Sequence, residues 1–172
     1  MRNIIIIILV LCRGYGSAAQ KVHAYTGVHI NTTLYDRTIT NNAIGFGAWL
    51  RASVNTNSFF NPEVEVSASA YGGTKELYVT ADDKPIYAKS GVATVMAGTM
   101  INLSHTFYTG LLAGPAFFNS KTYMGLQPVM GCYLTKKQII TVRVSFTNIF
   151  QHDDIGNKNF GYLGLGAGIK LF

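Results

Sequence analysis

The 172 residues carry 14 lysines and arginines against 8 acidic residues, a formal charge of +6, yet only 13% of the chain is charged and 48% is hydrophobic. A soluble domain of this size usually carries about 25% charged residues, so an ordinary water-exposed globular fold is disfavoured. The basic residues are scattered and form no stripe, which argues against a nucleic-acid partner.

Residues 1–19 read as a secretory signal peptide. Arg2 supplies the positive start, Ile4–Leu11 is an unbroken apolar run, and Ser17-Ala18-Ala19 offers the small residues of a cleavage site. The run is too short for a spanning helix, which needs roughly 20 apolar residues. Cys12 follows Leu11, where a lipoprotein signal has Gly, Ala or Ser, so lipidation is not expected. The mature domain, 20–172, then holds twelve basic and eight acidic residues, a formal charge of +4. Its one cysteine, Cys132, shares parity with Met124, Leu126, Met130 and Leu134 and reads as a thiol among apolar groups.

Eight segments of about ten residues then alternate, the length of a tilted transmembrane strand. Lys21–Ile30 sets Val22, Ala24, Val28 and Ile30 against Lys21, His23, Tyr25 and His29. Ile44–Val54 sets Ile44, Phe46, Ala48, Leu50 and Ala52 against Trp49 and Arg51. Glu63–Tyr71 is the cleanest, with Val64, Val66, Ala68 and Ala70 on one side and Glu63, Glu65, Ser67 and Ser69 on the other. A helix would scatter those four polar residues; a strand gathers them on one face. Val92–Asn102 is apolar on both faces, with Ala93, Val95, Ala97 and Ile101 assigned to the outside. Thr106–Phe117 and Tyr123–Leu134 alternate around Leu111 and Leu126. Ile139–Phe150 sets Ile140, Val142, Val144 and Phe146 against Thr141, Arg143, Ser145 and Thr147. In Phe160–Phe172, Leu163, Leu165, Ala167, Ile169 and Leu171 oppose Tyr162, Gly164, Gly166, Gly168 and Lys170. Pro115 and Pro128 fall inside two of these segments, where each removes a ladder donor, and a bulge or register shift is expected at Pro128.

The connections alternate in length, as periplasmic turns and extracellular loops do in outer-membrane barrels. Asn55–Pro62, Asn102–His105 and Thr135–Gln138 are short; Asn31–Asn42, Gly72–Gly91 and Gln151–Asn159 are long, and Asn119–Lys121 is a short exception. Within Gly72–Gly91, Leu77-Tyr78-Val79, the turn Asp82-Asp83-Lys84-Pro85 and Ile86-Tyr87 predict a hairpin. Such a hairpin is either a solvated loop or a free strand edge that recruits a protein partner, and the sequence leaves both open. The expected fold is all-β: an eight-stranded antiparallel up-and-down transmembrane β-barrel in the outer-membrane lipid. A soluble lipocalin-like carrier, the main rival, would have its apolar face inside.

This pattern resembles the small eight-stranded outer-membrane proteins of the OmpA/OmpX type over nearly all of the mature chain. The Gln20 start and Gly-rich end are similar to barrels of the Bacteroidota. The terminal Phe172 resembles the signal read by the barrel-assembly machinery. In the familiar form that aromatic shares parity with the lipid-facing residues, whereas Phe172 shares parity with Gly164, Gly166, Gly168 and Lys170. The resemblance therefore implies either a register shift at the chain end or another form of the signal.

One constellation carries chemistry. Lys21, Arg51, Glu63, Glu65, Arg143 and Lys170 share the inward face near one end of the barrel. An eight-stranded bore is just wide enough for side chains to fill, so the expected outcome is a salt-bridged, closed lumen, with a narrow ion path as the alternative. An enzyme is the competing class, because some barrels of this size are lipid A deacylases or acyltransferases. Ser145-Phe146-Thr147-Asn148 is similar to the deacylase His-x-Ser-Asn motif, but Ser145 and Thr147 stand where the catalytic histidine and serine would be. His152, Asp153 and Asp154 sit in a loop, His105 in a turn, and His23 and His29 on the lumen face, with no histidine expected within reach of a nucleophile. No catalytic residue, cofactor or metal is expected. The strand-eight glycines open no helix and read as space for bulky inward neighbours such as Tyr or Phe.

Overall fold

The computed structural model describes residues 21–35, 44–56, 59–72, 76–79, 85–87, 90–118, 121–150 and 160–172, with only the backbone of Lys21, Tyr35 and the residues of 76–90. The expected signal peptide 1–19, the turn Asp82-Asp83-Lys84 and the loop residues His152, Asp153 and Asp154 lie outside the described residues.

In chain order the strands are β1 (Lys21–Tyr35), β2 (Ile44–Asn55), β3 (Phe60–Tyr71), β4 (Glu76–Val79), β5 (Pro85–Tyr87), β6 (Ser90–Asn102), β7 (Phe107–Phe118), β8 (Lys121–Tyr133), β9 (Ile140–Phe150) and β10 (Phe160–Lys170). Eight of them close into one antiparallel barrel, β1-β10-β9-β8-β7-β6-β3-β2. The expected hairpin is present as β4 and β5, which form a separate two-stranded sheet. Closure leaves the barrel without an edge, so every barrel strand has two neighbours for its backbone groups.

Alternation decides which side chains meet lipid. Along β3, Asn61, Glu63, Glu65, Ser67, Ser69 and Tyr71 are buried while Pro62, Val64, Val66, Ala68 and Ala70 are exposed. On the other strands Val28, Ile30, Leu50, Val95, Leu111, Met130, Val144, Leu165 and Ile169 stand outward and exposed. Phe59, Phe60, Phe107 and Phe172 are exposed near the end with the short turns, and Phe46, Phe117 and Phe150 near the other. An apolar band between two aromatic girdles is the exterior of a bilayer-spanning barrel. A soluble carrier has the opposite arrangement.

Several boundaries differ from the sequence expectation. β1 runs on to Tyr35, because Asn31 and Thr33 are buried inward residues of the strand and not the start of a loop. Pro128 brings no bulge. Its register with β7 is continuous through Leu111↔Pro128, and against β9 the register before and after it is the same. The pairing simply lapses between Leu126↔Asn148 and Val129↔Ser145. Pro115 behaves alike, paired to Met124 of β8 and falling in a gap of the β6–β7 register. Each proline thus withholds its missing donor from one neighbour only.

At the chain end the register does shift. Leu171 N donates to Ala24 O at 2.8 Å, and Ala24 N donates to Phe172 O at 3.1 Å. One residue of β1 faces two of the terminal segment, the arrangement of a bulge. Phe172 is accordingly 69% exposed, although simple alternation from Gly168 and Lys170 would turn it inward.

Candidate functional site

Two apolar layers pack across the lumen. Towards the long connections, Tyr71, Val92, Ala116, Phe118, Ile149, Phe160 and Tyr162 pack as one apolar cluster. Towards the short turns, Tyr25, Trp49, Met96, Met100, Tyr108, Leu112, Val129 and Tyr133 form a second. Charged and polar side chains occupy the space around and between these two layers.

Register explains who meets whom. Arg51 lies opposite Glu65 in the β2–β3 ladder, and Ser53 opposite Glu63. Arg51 nevertheless pairs with the diagonal neighbour, Arg51 Nε to Glu63 Oε2 at 3.8 Å. Glu65 is free to reach across the bore to β9, where Arg143 Nη1 and Nη2 donate to its two oxygens, the latter at 2.9 Å. Gln127 Nε2 donates to Glu65 Oε1 at 3.0 Å, and Thr147 Oγ1 donates to Gln127 Oε1 at 3.2 Å. The Arg143–Glu65 pair is therefore a bidentate, charge-assisted contact inside a hydrogen-bonded chain. The Arg51–Glu63 pair has no such support: neither its arginine nitrogens nor its carboxylate oxygens make a hydrogen bond. Arg51 is held instead by ring faces, its Cζ 4.5 Å from the Tyr25 centroid and 5.1 Å from that of Tyr108. Arg143 Cζ sits 4.0 Å over Trp49. Such cation–π contacts partly replace lost hydration.

The structure thus gathers Arg51, Glu63, Glu65 and Arg143, each no more than 3% exposed. Lys170 is half-buried at the end of β10 and makes no ion pair among the described residues. Lys21 opens β1 opposite Asn55, and its side chain lies outside the described residues.

Glycine rows make room for the bulky groups. Gly168, Gly27 and Trp49 lie side by side across β10, β1 and β2. A Cβ on either glycine would run into the indole. Gly45 lies against Tyr71 and Gly131 against Tyr108 in the same way. The β10 glycines themselves face Trp49, Asn31 and Ser145 where the sequence suggested Tyr or Phe.

The expectation that no histidine reaches a nucleophile does not hold. His29, Gly47 and Ser69 form one cross-strand row, and because Gly47 has no side chain, His29 Nε2 and Ser69 Oγ meet over it at 2.9 Å. Asn31 Nδ2 donates to the same Ser69 Oγ at 2.8 Å. The signal was a polar residue two strands away at matching height across a glycine, visible only once strand register is known. All three side chains are buried in the lumen. Among the described residues, no group of three or more His, Cys, Asp or Glu side chains is placed to hold a metal ion.

Solved structures carry the same architecture. The attachment invasion locus protein Ail of Yersinia pestis, in complex with the heparin analogue sucrose octasulfate, superposes with a TM-score of 0.60 at 13% identity, covering 90% of this chain and 100% of that one. The fold is that of a small outer-membrane β-barrel. Neisserial surface protein A matches with a TM-score of 0.52 at 14% identity over 91% of this chain and all of its own. A de novo designed transmembrane β-barrel gives 0.52 at 8% identity over 87% and 95%. No protein-family profile and no curated protein matches the sequence. With its apolar band and aromatic girdles, this barrel resides in the cell outer membrane.

Proposed function

We propose that the protein is a non-conducting, non-enzymatic outer-membrane barrel that acts as a scaffold for binding through its extracellular loops. The observation that carries this reading is the packed lumen: two apolar layers with the Arg143–Glu65–Gln127–Thr147 chain between strands leave no bore for solute. Loops on a rigid scaffold are where binding function usually resides. Gly72–Gly91 is the longest connection and holds the separate sheet of β4 and β5, which suits a protein partner. The barrel-assembly machinery remains the expected reader of Phe172.

Planar-bilayer recording of the purified protein tests the closed lumen, with no steady openings expected. Large, long-lived conductance steps would favour the ion-path reading and overturn this one. The enzyme alternative is tested by lipid A mass spectra from cells with and without the protein. Among the described residues, the His29–Ser69–Asn31 group brings an imidazole to a hydroxyl, and it faces the lumen interior away from lipid. Loss of an acyl chain that requires His29 or His152 would establish an enzyme.

A further inference from the structure

We propose that the turn end of the barrel holds a binding site for a carboxylated sugar of the periplasm, separate from the loops at the other end. A cavity of about 390 Å³ opens there, within the size range of small-molecule sites, about 300–1,000 Å³. His23, Ser53, Asn61, Asn102, His105 and Gln138 line it, with Tyr133 and Met100 beside them. Side-chain amides, hydroxyls and imidazoles each present donors and acceptors, which match ring hydroxyls and an N-acetyl group. Tyr133, packed against Tyr108, closes the cavity on its inner side, and no carboxylate lines it.

Charge selects for an acid. Six of the eight acidic residues, Asp36, Glu76, Asp82, Asp83, Asp153 and Asp154, fall in the chain between the strand ends of the opposite mouth. Six basic residues fall there too: Arg37, Lys75, Lys84, Lys89, Lys121 and Lys158. The remaining acids, Glu63 and Glu65, are matched by Arg51 and Arg143. The +4 of the mature chain therefore belongs to Lys21, Lys136, Lys137 and Lys170, all at the turn end. None of the four lines the cavity, but a surface field of one sign at this end concentrates counter-ions around it.

A third observation concerns the backbone. Gln138 is the one non-glycine residue among those described with a positive φ, 57°. Residues other than Gly, Asn and Asp adopt this region at a cost, and retained strain clusters at ligand clamps. The turn carrying it is pinned by Gln138 N donating to Thr135 O at 2.8 Å and Ile139 N to Thr135 Oγ1 at 2.7 Å. Gln138 Nε2 lies 3.4 Å from His105 O, so the strained residue spans two turns at the cavity mouth.

The test is calorimetric titration of the full chain in nanodiscs with N-acetylmuramic acid, N-acetylglucosamine and an acidic dipeptide. The sugar acid should bind at least tenfold more tightly than either, and more weakly as salt rises. Lys136→Gln with Lys137→Gln should remove most of the preference for the acid over the neutral sugar. Asn102→Trp, which fills the cavity, should abolish binding, and Asn102→Ala should weaken it several-fold, with heat-modifiable migration confirming folded barrels. No binding of the sugar acid, equal binding of the neutral sugar, or indifference to both Asn102 variants would overturn the proposal. Equal or tighter binding of the dipeptide would overturn its sugar class.

Discussion

At Glu65 and Glu63, two positions apart on β3, the same side chain is held in two ways. Glu65 accepts from Arg143 and Gln127, whereas Glu63 has an ion pair at 3.8 Å and no hydrogen bond. Removing one partner of a buried, hydrogen-bonded pair costs about 3–5 kcal/mol, because the other charge is left uncompensated. Glu65→Ala should fall in that range by urea unfolding in lipid vesicles. Glu63→Ala should cost less, since Arg51 keeps its contacts with the rings of Tyr25, Trp49 and Tyr108. Equal losses would show that the hydrogen bonds around Glu65 contribute nothing beyond charge. Packing sets the second residue-scale prediction. Gly168→Ala places a methyl group against a rigid indole walled in by neighbouring strands, and overpacking of this kind costs typically about 1–3 kcal/mol. The same substitution made with Trp49→Phe should cost measurably less than the sum of the two single changes, because the sites are in contact. Additive losses would mean that the indole is not what excludes the methyl group.

Among the elements, the turn between β8 and β9 leans on one side chain, as the turn between β6 and β7 leans on Ser104. Thr135 Oγ1 accepts from Ile139 N at 2.7 Å, and its carbonyl accepts from Gln138 N. Thr135→Ala should destabilise the barrel by about 1 kcal/mol, the usual net value of one such bond, while Thr135→Ser should restore it; the same unfolding measurement separates them. Strand by strand, the sequence was most legible where lumen and lipid differ most in polarity. Glu63–Tyr71 alternates between carboxylates or hydroxyls and aliphatic groups, and the observed burial follows it residue for residue. It was least legible where polar residues face a polar lumen. Asn31 and Thr33 have the composition of a loop, yet they continue the inward face of β1 beyond His29. The prolines misled in the opposite direction. A bulge was expected at Pro128 because a ladder donor is missing, but a lapse in pairing with β9 alone accommodates it without shifting register. The His29–Ser69 contact was illegible for another reason: it depends on which glycine of β2 stands between β1 and β3, and that is fixed by register, not by any local motif.

On the scale of the whole molecule, the barrel and the hairpin are two separately hydrogen-bonded sheets. Each of the eight barrel strands pairs with two barrel neighbours, whereas β4 and β5 pair only with one another. The β3–β6 register runs unbroken from Phe60↔Ile101 to Tyr71↔Ser90, so the strands that flank the hairpin are already fully zipped without it. Closure entropy grows only slowly with loop length, roughly as its logarithm, so a shorter connection between β3 and β6 changes barrel stability little. Deleting Thr74–Lys89 and joining the ends with a short Gly-Ser linker should therefore leave heat-modifiable migration and membrane insertion unchanged. If the loop is the binding surface, the same deletion should abolish capture of envelope or surface partners by intact cells, while Glu65→Ala should weaken the barrel without touching partner affinity. Loss of insertion in the deletion variant would show that the hairpin supports the barrel. Full partner capture by that variant would move the binding function to another part of the molecule.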